Sequence, residues 1–274
     1  MAKNHSDEIF RHERFEFGKN WRAFHASINE DRLVEAESSL KEMLGVSTLQ
    51  GKRFLDLGSG SGLFSLAARR LGATVHSVDY DPHSVGCTST LKKEFSPDDI
   101  AWTIEEGNVL SESFLESIGK FDIVYAWGVL HHTGDMGAAL KNILIPLADG
   151  GELFISIYND QGGKSNFWRS VKKYYCGGAV GKYLVCAVFF PVFAMQTVIM
   201  GLLLTGNPFA EFFSYKKKRG MSIYHDWIDW LGGYPFEVAK PEEIFERYCR
   251  EGLHLSRFTT TNGIGCNQFI FRKP

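Results

Sequence analysis

The chain has 274 residues, 44% of them hydrophobic, which is enough for one large domain or two small ones. Its 30 lysines and arginines against 32 aspartates and glutamates leave a net charge of −2, which excludes a general attraction to nucleic acid. The five cysteines, Cys87, Cys176, Cys186, Cys249 and Cys266, are scattered without a C-x-x-C pair, a pattern that suits a reducing cytoplasm and excludes a disulfide framework or a zinc site.

Residues 1–50 read as a helical extension. The N-terminus is charged and aromatic, unlike a secretory signal. From His5 to Phe24 aromatic and charged residues alternate densely, and from Asp31 to Leu44 the residues Leu33, Val34, Leu40, Met43 and Leu44 fall on roughly one helical stripe. Phe17, Trp21 and Phe24 suit packing against the main domain or a lid over a ligand. In the lid reading Lys19 or Arg22 faces a carboxylate.

The stretch that organises the chain is Lys52-Arg53-Phe54-Leu55-Asp56-Leu57-Gly58-Ser59-Gly60-Ser61-Gly62. A short apolar strand runs into alternating glycines and then into a helix pattern at Leu63–Leu71. Glycine permits a tight turn and close approach of a ligand, and the helix start offers N–H groups with no intrahelical partner. A second strand, Ala73–Val78, ends in Asp79, about twenty residues past the first glycine, where a carboxylate can hold ribose hydroxyls. A dinucleotide loop would carry its last glycine where this chain has Leu63.

The D-x-G-x-G-x-G pattern that begins at Asp56 resembles motif I of the class I S-adenosylmethionine (SAM) methyltransferases. The resemblance implies that Gly58, Ser59, Gly60 and Gly62 lie against the methionine part of SAM and that Asp79 holds its ribose. S-adenosylhomocysteine is then the product.

From 51 to 158 strands and helices alternate: strands near 53–57, 74–79, 100–106, 121–127 and 150–158, helices near 61–71, 82–95, 111–118 and 135–147. With two closing strands near 253–259 and 266–271, this predicts an α/β fold with a seven-stranded, mostly parallel, doubly wound sheet. Ligands of such sheets sit outside the carboxyl ends of the strands, at Asp56, Asp79, Asn108, Val109 and Trp127. Asn108 stands where many relatives have an Asp near the adenine amino group, and its amide oxygen can accept the same hydrogen bond. Tyr80 can pack on the adenine face.

Strand four opens into Val129-Leu130-His131-His132, a tract that resembles motif IV of the ubiquinone-biosynthesis O-methyltransferases. Either histidine suits removal of a hydroxyl proton near neutral pH, or capping of the next helix. Asp135 is the one acid nearby, so no metal is expected.

The simplest chains of this class would close their sheet soon after strand five. Here about eighty residues intervene. Trp168–Tyr175 forms a basic aromatic helix, and residues 183–210 carry no charge; the run Lys216-Lys217-Lys218-Arg219 follows. The apolar stretch is long enough to span a bilayer, but a single crossing would separate the last strands from their sheet, and Pro191 interrupts it. Two readings stand: a cap with its apolar face buried, or a cap that also dips into the membrane interface with the basic run facing anionic lipid. In the next segment Trp227 and Trp230 share a face, as do His225, Asp226 and Asp229, so His225 or Asp226 is a second candidate base. Gly232-Gly233 ends that helix, and Pro241 starts the last one.

The domains expected are thus an extension at 1–50, a SAM-binding core at 51–160 and 238–274, and a cap at 161–237. The function expected is O-methylation of a small phenolic, quinone-like or sugar acceptor in the cytoplasm, and contact with the inner face of a membrane through 183–219 belongs to the second reading of the cap. N-methylation and a non-catalytic SAM-binding role are the alternatives. Oligomeric state is left open.

Overall fold

A computed structural model describes residues 5–25, 28–219 and 223–274, with the side chains of 22–25, 214 and 216–219 outside that description. Arg22, Phe24 and the basic run at 216–219 therefore keep only their sequence positions.

The first strand, β1 (Arg53–Leu57), lies at the centre because it is apolar on both faces. Alternation along it sends Phe54 into one core and Leu55 and Leu57 into another. It pairs in parallel with β2 (Thr74–Asp79) on one side and β4 (Phe121–Trp127) on the other. Beyond β2 lies β3 (Trp102–Glu106), and beyond β4 lie β5 (Leu147–Tyr158), β7 (Cys266–Arg272) and β6 (His254–Thr259), with β7 antiparallel to both neighbours. The sheet has seven strands in the order β3-β2-β1-β4-β5-β7-β6, as expected for the doubly wound class. The order reverses between β1 and β4, so a crevice opens at their carboxyl ends.

Helices cover both faces. Against Phe54, Val75 and Ile123 lie α3 (Glu30–Leu44), α4 (Leu63–Arg70) and α5 (Pro82–Phe95). Against Leu55, Val124 and Leu153 lie α6 (Glu112–Ser117), α7 (Met136–Asn142) and α12 (Pro241–Arg250). Helix α3 has clear punctuation: Asn29 accepts from the Arg32 N–H at its start, and Gly45 ends it at φ 67°. The N-terminal segment forms α1 (His5–Phe10) and α2 (Phe17–His25).

Two boundaries differ from expectation. Helix α7 stops at Asn142, and β5 starts three residues early, at Leu147. Leu147 pairs with Phe121, whereas Glu152 pairs with Ile123, so the strand bulges through Ala148–Gly151, with Gly150 at φ 72°.

Between β5 and α12 stand α8 (Gly163–Cys176), α9 (Ala179–Thr205), α10 (Ala210–Arg219) and α11 (Ile223–Gly232). Burial of the apolar face of α9 holds for little of its length. Its most apolar window has a mean hydropathy of 2.1 and is 6% buried. The residues of α9 that are fully buried are Gly181, Val185 and Gly201.

Leu40 on α3 is fully buried in the core it shares with α4. Leu40→Ala is expected to lower stability by about 2–5 kcal/mol in denaturant unfolding. A loss below about 1 kcal/mol would mean that α3 is not docked on α4.

Candidate active site

A cavity of about 440 Å³ lies at the carboxyl ends of β1, β2, β4 and β5. Its floor is the turn after β1. Gly58 and Ser59 both donate their N–H to the Val78 carbonyl, at 2.7 and 3.1 Å, and Gly60 donates to Asp79 Oδ2 at 2.9 Å. Gly58 has φ 81°, and a Cβ there would lie 2.2 Å from Val129. Gly60, at φ 55°, leaves room for the indole of Trp21, which would sit 3.0 Å from a Cβ. At these two positions glycine is required by both conformation and space.

Most of the expected residues line this cavity: Asp56, Gly58, Ser59, Gly60, Asp79, Tyr80, Asn108, Val109, Trp127, His131, His132, Asp226 and Trp21. Gly62 and His225 do not. Gly62 precedes α4 at φ 81° and packs on Thr88, and His225 lies edge-on to Tyr224. Lys19 pairs with Glu16 on the surface.

Three carboxyls at the cavity are shifted by burial. Asp56 accepts from Ser65 Oγ at 2.5 Å and is pushed up to about 7. Behind it, Trp102 Nε1–H donates to Ser77 Oγ, which lies 2.6 Å from Ser65 Oγ, so the carboxyl ends a buried relay of hydroxyls. Burial raises Asp79 to about 6, against the opposing N–H groups of Asp81 and Gly60. Asp229 is likewise raised to about 6 by burial, with Asn20 Nδ2–H donating to it at 3.2 Å. Asn108 Oδ1 already accepts from the Leu110 N–H at 2.8 Å, which leaves one lone pair toward the cavity.

The two histidines differ in tautomer. His132 Nδ1 is 2.5 Å from the Pro235 carbonyl, which can only accept, so the proton is on Nδ1 and Nε2 carries a lone pair. His131 Nδ1 accepts the Tyr158 N–H at 3.3 Å, so its proton is on Nε2, a buried atom with no hydrogen-bond partner among the described residues. Burial holds both rings far below the usual imidazole range, His132 at about 3. The charge of Lys172 acts in the same direction on both, and that of Arg14 on His132.

Several groups in or behind the cavity wall had no sequence signal. Arg14 donates to the carbonyls of His132 and Thr133 at 2.7 and 3.1 Å, pairs with Glu8 at 2.6 Å, and lies 5.1 Å over the Tyr80 ring. His5 meets Tyr80 edge-on and lies 3.5 Å from Asp81. Phe17, unlike these, is singled out by the sequence as a packing or lid residue, and it packs on His132 with ring centroids 4.8 Å apart. Lys172, fully buried, donates to the Trp230 carbonyl beside Asp229. These groups converge only through long-range folding. Spacing did place Asp229 beside Asp226, and both reach the cavity.

Residues 28–175 match a protein family described as "Methyltransferase domain". Among curated proteins, the ubiquinone biosynthesis O-methyltransferase of Paracidovorax citrulli is 31% identical over 115 residues, 42% of this chain and 47% of that protein. The protein of the same name from a Bradyrhizobium species is 34% identical over 116 residues, 42% of this chain and 43% of its own length. The chain thus spans less than half the length of these relatives. Among solved structures, magnesium protoporphyrin IX methyltransferase (ChlM) from Synechocystis with bound SAH is 15% identical, with a TM-score of 0.54, over 93% of this chain and 94% of that one. The N-methyltransferase NodS from Bradyrhizobium japonicum is 16% identical, with a TM-score of 0.51, over 94% and 99%. At these identities the likeness shows the fold.

The raised Asp56 has a consequence for stability. Its folded-state value, about 7, exceeds the unfolded value near 3.8, so the folded chain binds the extra proton between those limits. The stabilisation from Asp56 is then complete below about pH 4 and is lost as pH rises through 7. Asp56→Asn removes that loss. Relative to the parent, this variant is expected to gain unfolding free energy steadily from pH 4 to 8, measured by urea unfolding across that range. A difference that does not change with pH would mean Asp56 is not buried as an acid.

Proposed function

This chain belongs to the methyltransferase-domain family, of the class I SAM-dependent kind, and from that premise we propose that it methylates a hydroxyl oxygen of a small acceptor. The observation that carries this reading is the cavity itself. One wall is a glycine turn with an acid at the end of the next strand, and the other is a histidine whose lone pair is fixed by a carbonyl on its far nitrogen. A cavity of about 440 Å³ falls within the usual range for small-ligand sites.

The residues fit SAM in three respects. The turn at Gly58, Ser59 and Gly60 lines the cavity, with its two glycines in the left-handed backbone that the turn requires. Asp79 is mostly ionised at neutral pH, and each of its oxygens retains a lone pair for a ribose hydroxyl. Tyr80, Asn108 and Val109 form the wall next to it, with the Asn108 oxygen able to accept from an adenine amino group.

SAM supplies a methyl group already activated on a sulfonium. The chain then has to hold the acceptor in line, exclude water and take one proton. We assign the proton to His132 Nε2. Its basicity is low, but a hydroxyl becomes strongly acidic as its oxygen acquires the new bond, so a weak, well-placed base is sufficient. The proton on Nδ1 is held by the Pro235 carbonyl and keeps the ring oriented. His131, with its proton on Nε2, acts as a donor. A second reading is N-methylation: Asp226 and Asp229 line the same cavity and would bind a cationic amine, one carboxylate taking the proton that the nitrogen must lose before its lone pair attacks the methyl group. For either acceptor we place the enzyme in the cytoplasm at the inner face of a membrane, a reading supported by the exposed apolar length of α9.

Asp79→Ala is expected to weaken SAM binding by about 1.5–3 kcal/mol in calorimetric titration, the loss of a charge-assisted hydrogen bond. Unchanged affinity would remove Asp79 from the ribose.

His132→Ala is expected to lower kcat by about 10²–10⁴, with SAM affinity nearly constant. His225→Ala is expected to leave turnover intact. The assay is methyl transfer from labelled SAM across phenolic, quinol and sugar acceptors. Because burial holds His132 at about 3, kcat at saturating SAM is expected to show no fall near 6.5, while SAM affinity weakens as pH drops through about 6 and Asp79 takes up a proton. A normal rate in His132→Ala together with loss in His225→Ala would move the base to α11.

A further inference from the structure

The membrane contact proposed above leaves its mode open, and the geometry of α9 and α10 points to one: we propose that the two helices form a re-entrant hairpin seated in a single leaflet of an anionic bilayer, not a span.

The first half of α9 is docked on the protein. Trp168 on α8 packs on Phe189 and Phe193, and Trp227 on α11 packs on Phe190 and Phe193. Beyond Phe193 the helix continues to Thr205, about 18 Å at 1.5 Å per residue, with α10 alongside. That reach matches one leaflet of a hydrocarbon core about 30 Å thick, not both. The chain then reverses sharply. Gly206 takes φ 71°, and a Cβ on Gly201 would lie 2.7 Å from the Asn207 carbonyl, so the returning chain presses against α9 at once. On α10 the Tyr215 hydroxyl reaches Asp226 on α11. The chain therefore leaves the protein and comes back on the same side.

The tip is built for hydrocarbon. Leu203 is 76% exposed and Phe213 84%, and Met195, Leu204 and Phe209 are exposed beside them. Between Lys182 and Lys216 the single charge is Glu211. Basic residues bracket the hairpin at its base: exposed Lys173 and Lys182 where the chain departs, and Lys216-Lys217-Lys218-Arg219 in the sequence where it returns. Exposed cations where the chain departs and a basic sequence where it returns, with an uncharged length of helix between them, are the pattern that an anionic lipid surface complements. A second copy covering α9 would bury the apolar tip but would leave the basic bracket without an anionic counterpart.

The hairpin also adjoins the reaction cavity. A groove of about 650 Å³ between α9, α10 and α11 is lined by Phe193, Met200 and Tyr215 and shares Asp226 with the main cavity. Seating the hairpin brings that shared wall to the headgroup level.

The test uses the full chain and vesicles of equal phosphatidylglycerol and phosphatidylethanolamine. The protein is expected to sediment with these and at least tenfold less with phosphatidylcholine alone. Leu203→Glu plus Leu204→Glu, on exposed positions, is expected to reduce sedimentation at least tenfold. Lys216→Glu plus Lys217→Glu is expected to weaken it severalfold and to reduce its salt dependence. Depth is read from Leu203→Trp in vesicles with brominated acyl chains. Strongest quenching by bromine near the chain end places the tip at mid-bilayer, as proposed. Strongest quenching by bromine near the headgroup would indicate a span or a surface-bound tip and overturn the proposal. So would a parent protein that stays in the supernatant, as monomer or as a dimer by light scattering. SAM titration without vesicles reads the enzymatic proposal separately: lost SAM binding with vesicle binding retained sinks that proposal and leaves this one standing.

Discussion

The site depends on one short set of backbone hydrogen bonds, those that tie the turn after β1 to the end of β2. Val78 accepts from both Gly58 and Ser59, and Asp79 accepts from Gly60. Together they fix the spacing between two neighbouring strand ends and orient the Asp79 carboxylate. They demand left-handed backbone at Gly58 and Gly60, and they bring Val129 and Trp21 against the turn where side chains would otherwise stand. The reversal of strand order next to this turn opens the crevice, and the remaining elements supply its walls.

The N-terminal segment is one such wall. Arg14 satisfies two carbonyls at the histidine tract while its guanidinium covers Tyr80. The Phe15 N–H donates to Tyr234, Gly18 donates to Asp81 at 2.8 Å, and a Cβ at Gly18 would lie 2.6 Å from that carboxylate. A segment pinned at residues 14, 15 and 18 to three separate parts of the chain is integral to the site. The positive charge of Arg14 also works with Lys172 to keep His132 neutral.

The centre of the sheet was legible in the sequence because β1, β4 and β5 carry their own signal, runs of apolar residues that are buried along most of their length. Of the site, the parts carried by contiguous motifs were legible, namely the glycine turn, Asp79 and the histidine tract. The division of labour within His131 and His132 was not, because it is decided by Pro235 and Tyr158, partners supplied by distant segments. Arg14 and Lys172 were hidden for the same reason. An isolated arginine or lysine has no periodicity, and only the folded chain shows that Lys172 is buried over Trp230 and Phe236 with its value lowered to about 7. Gly62 read as part of the ligand loop because the motif includes it. In the fold its role is to start α4 against Thr88.

Helix α9 shows where hydrophobic pattern alone cannot decide. A long uncharged helix satisfies its own backbone and is compatible with a core, a span or an interface. Its neighbours decide between them. Where α9 meets Trp168 and Trp227 it behaves as a core helix. Where it passes beyond them its apolar side chains face outward. Burying those side chains against lipid would recover about 25 cal/mol for each Å² removed from water. Trp168, which anchors the helix, packs on Trp230, Trp230 packs on Tyr158, and Tyr158 in turn packs on both histidines. A continuous set of ring contacts therefore links the base of the hairpin to the proposed base, and any shift of α9 at a surface acts on the same packing that fixes the His132 ring.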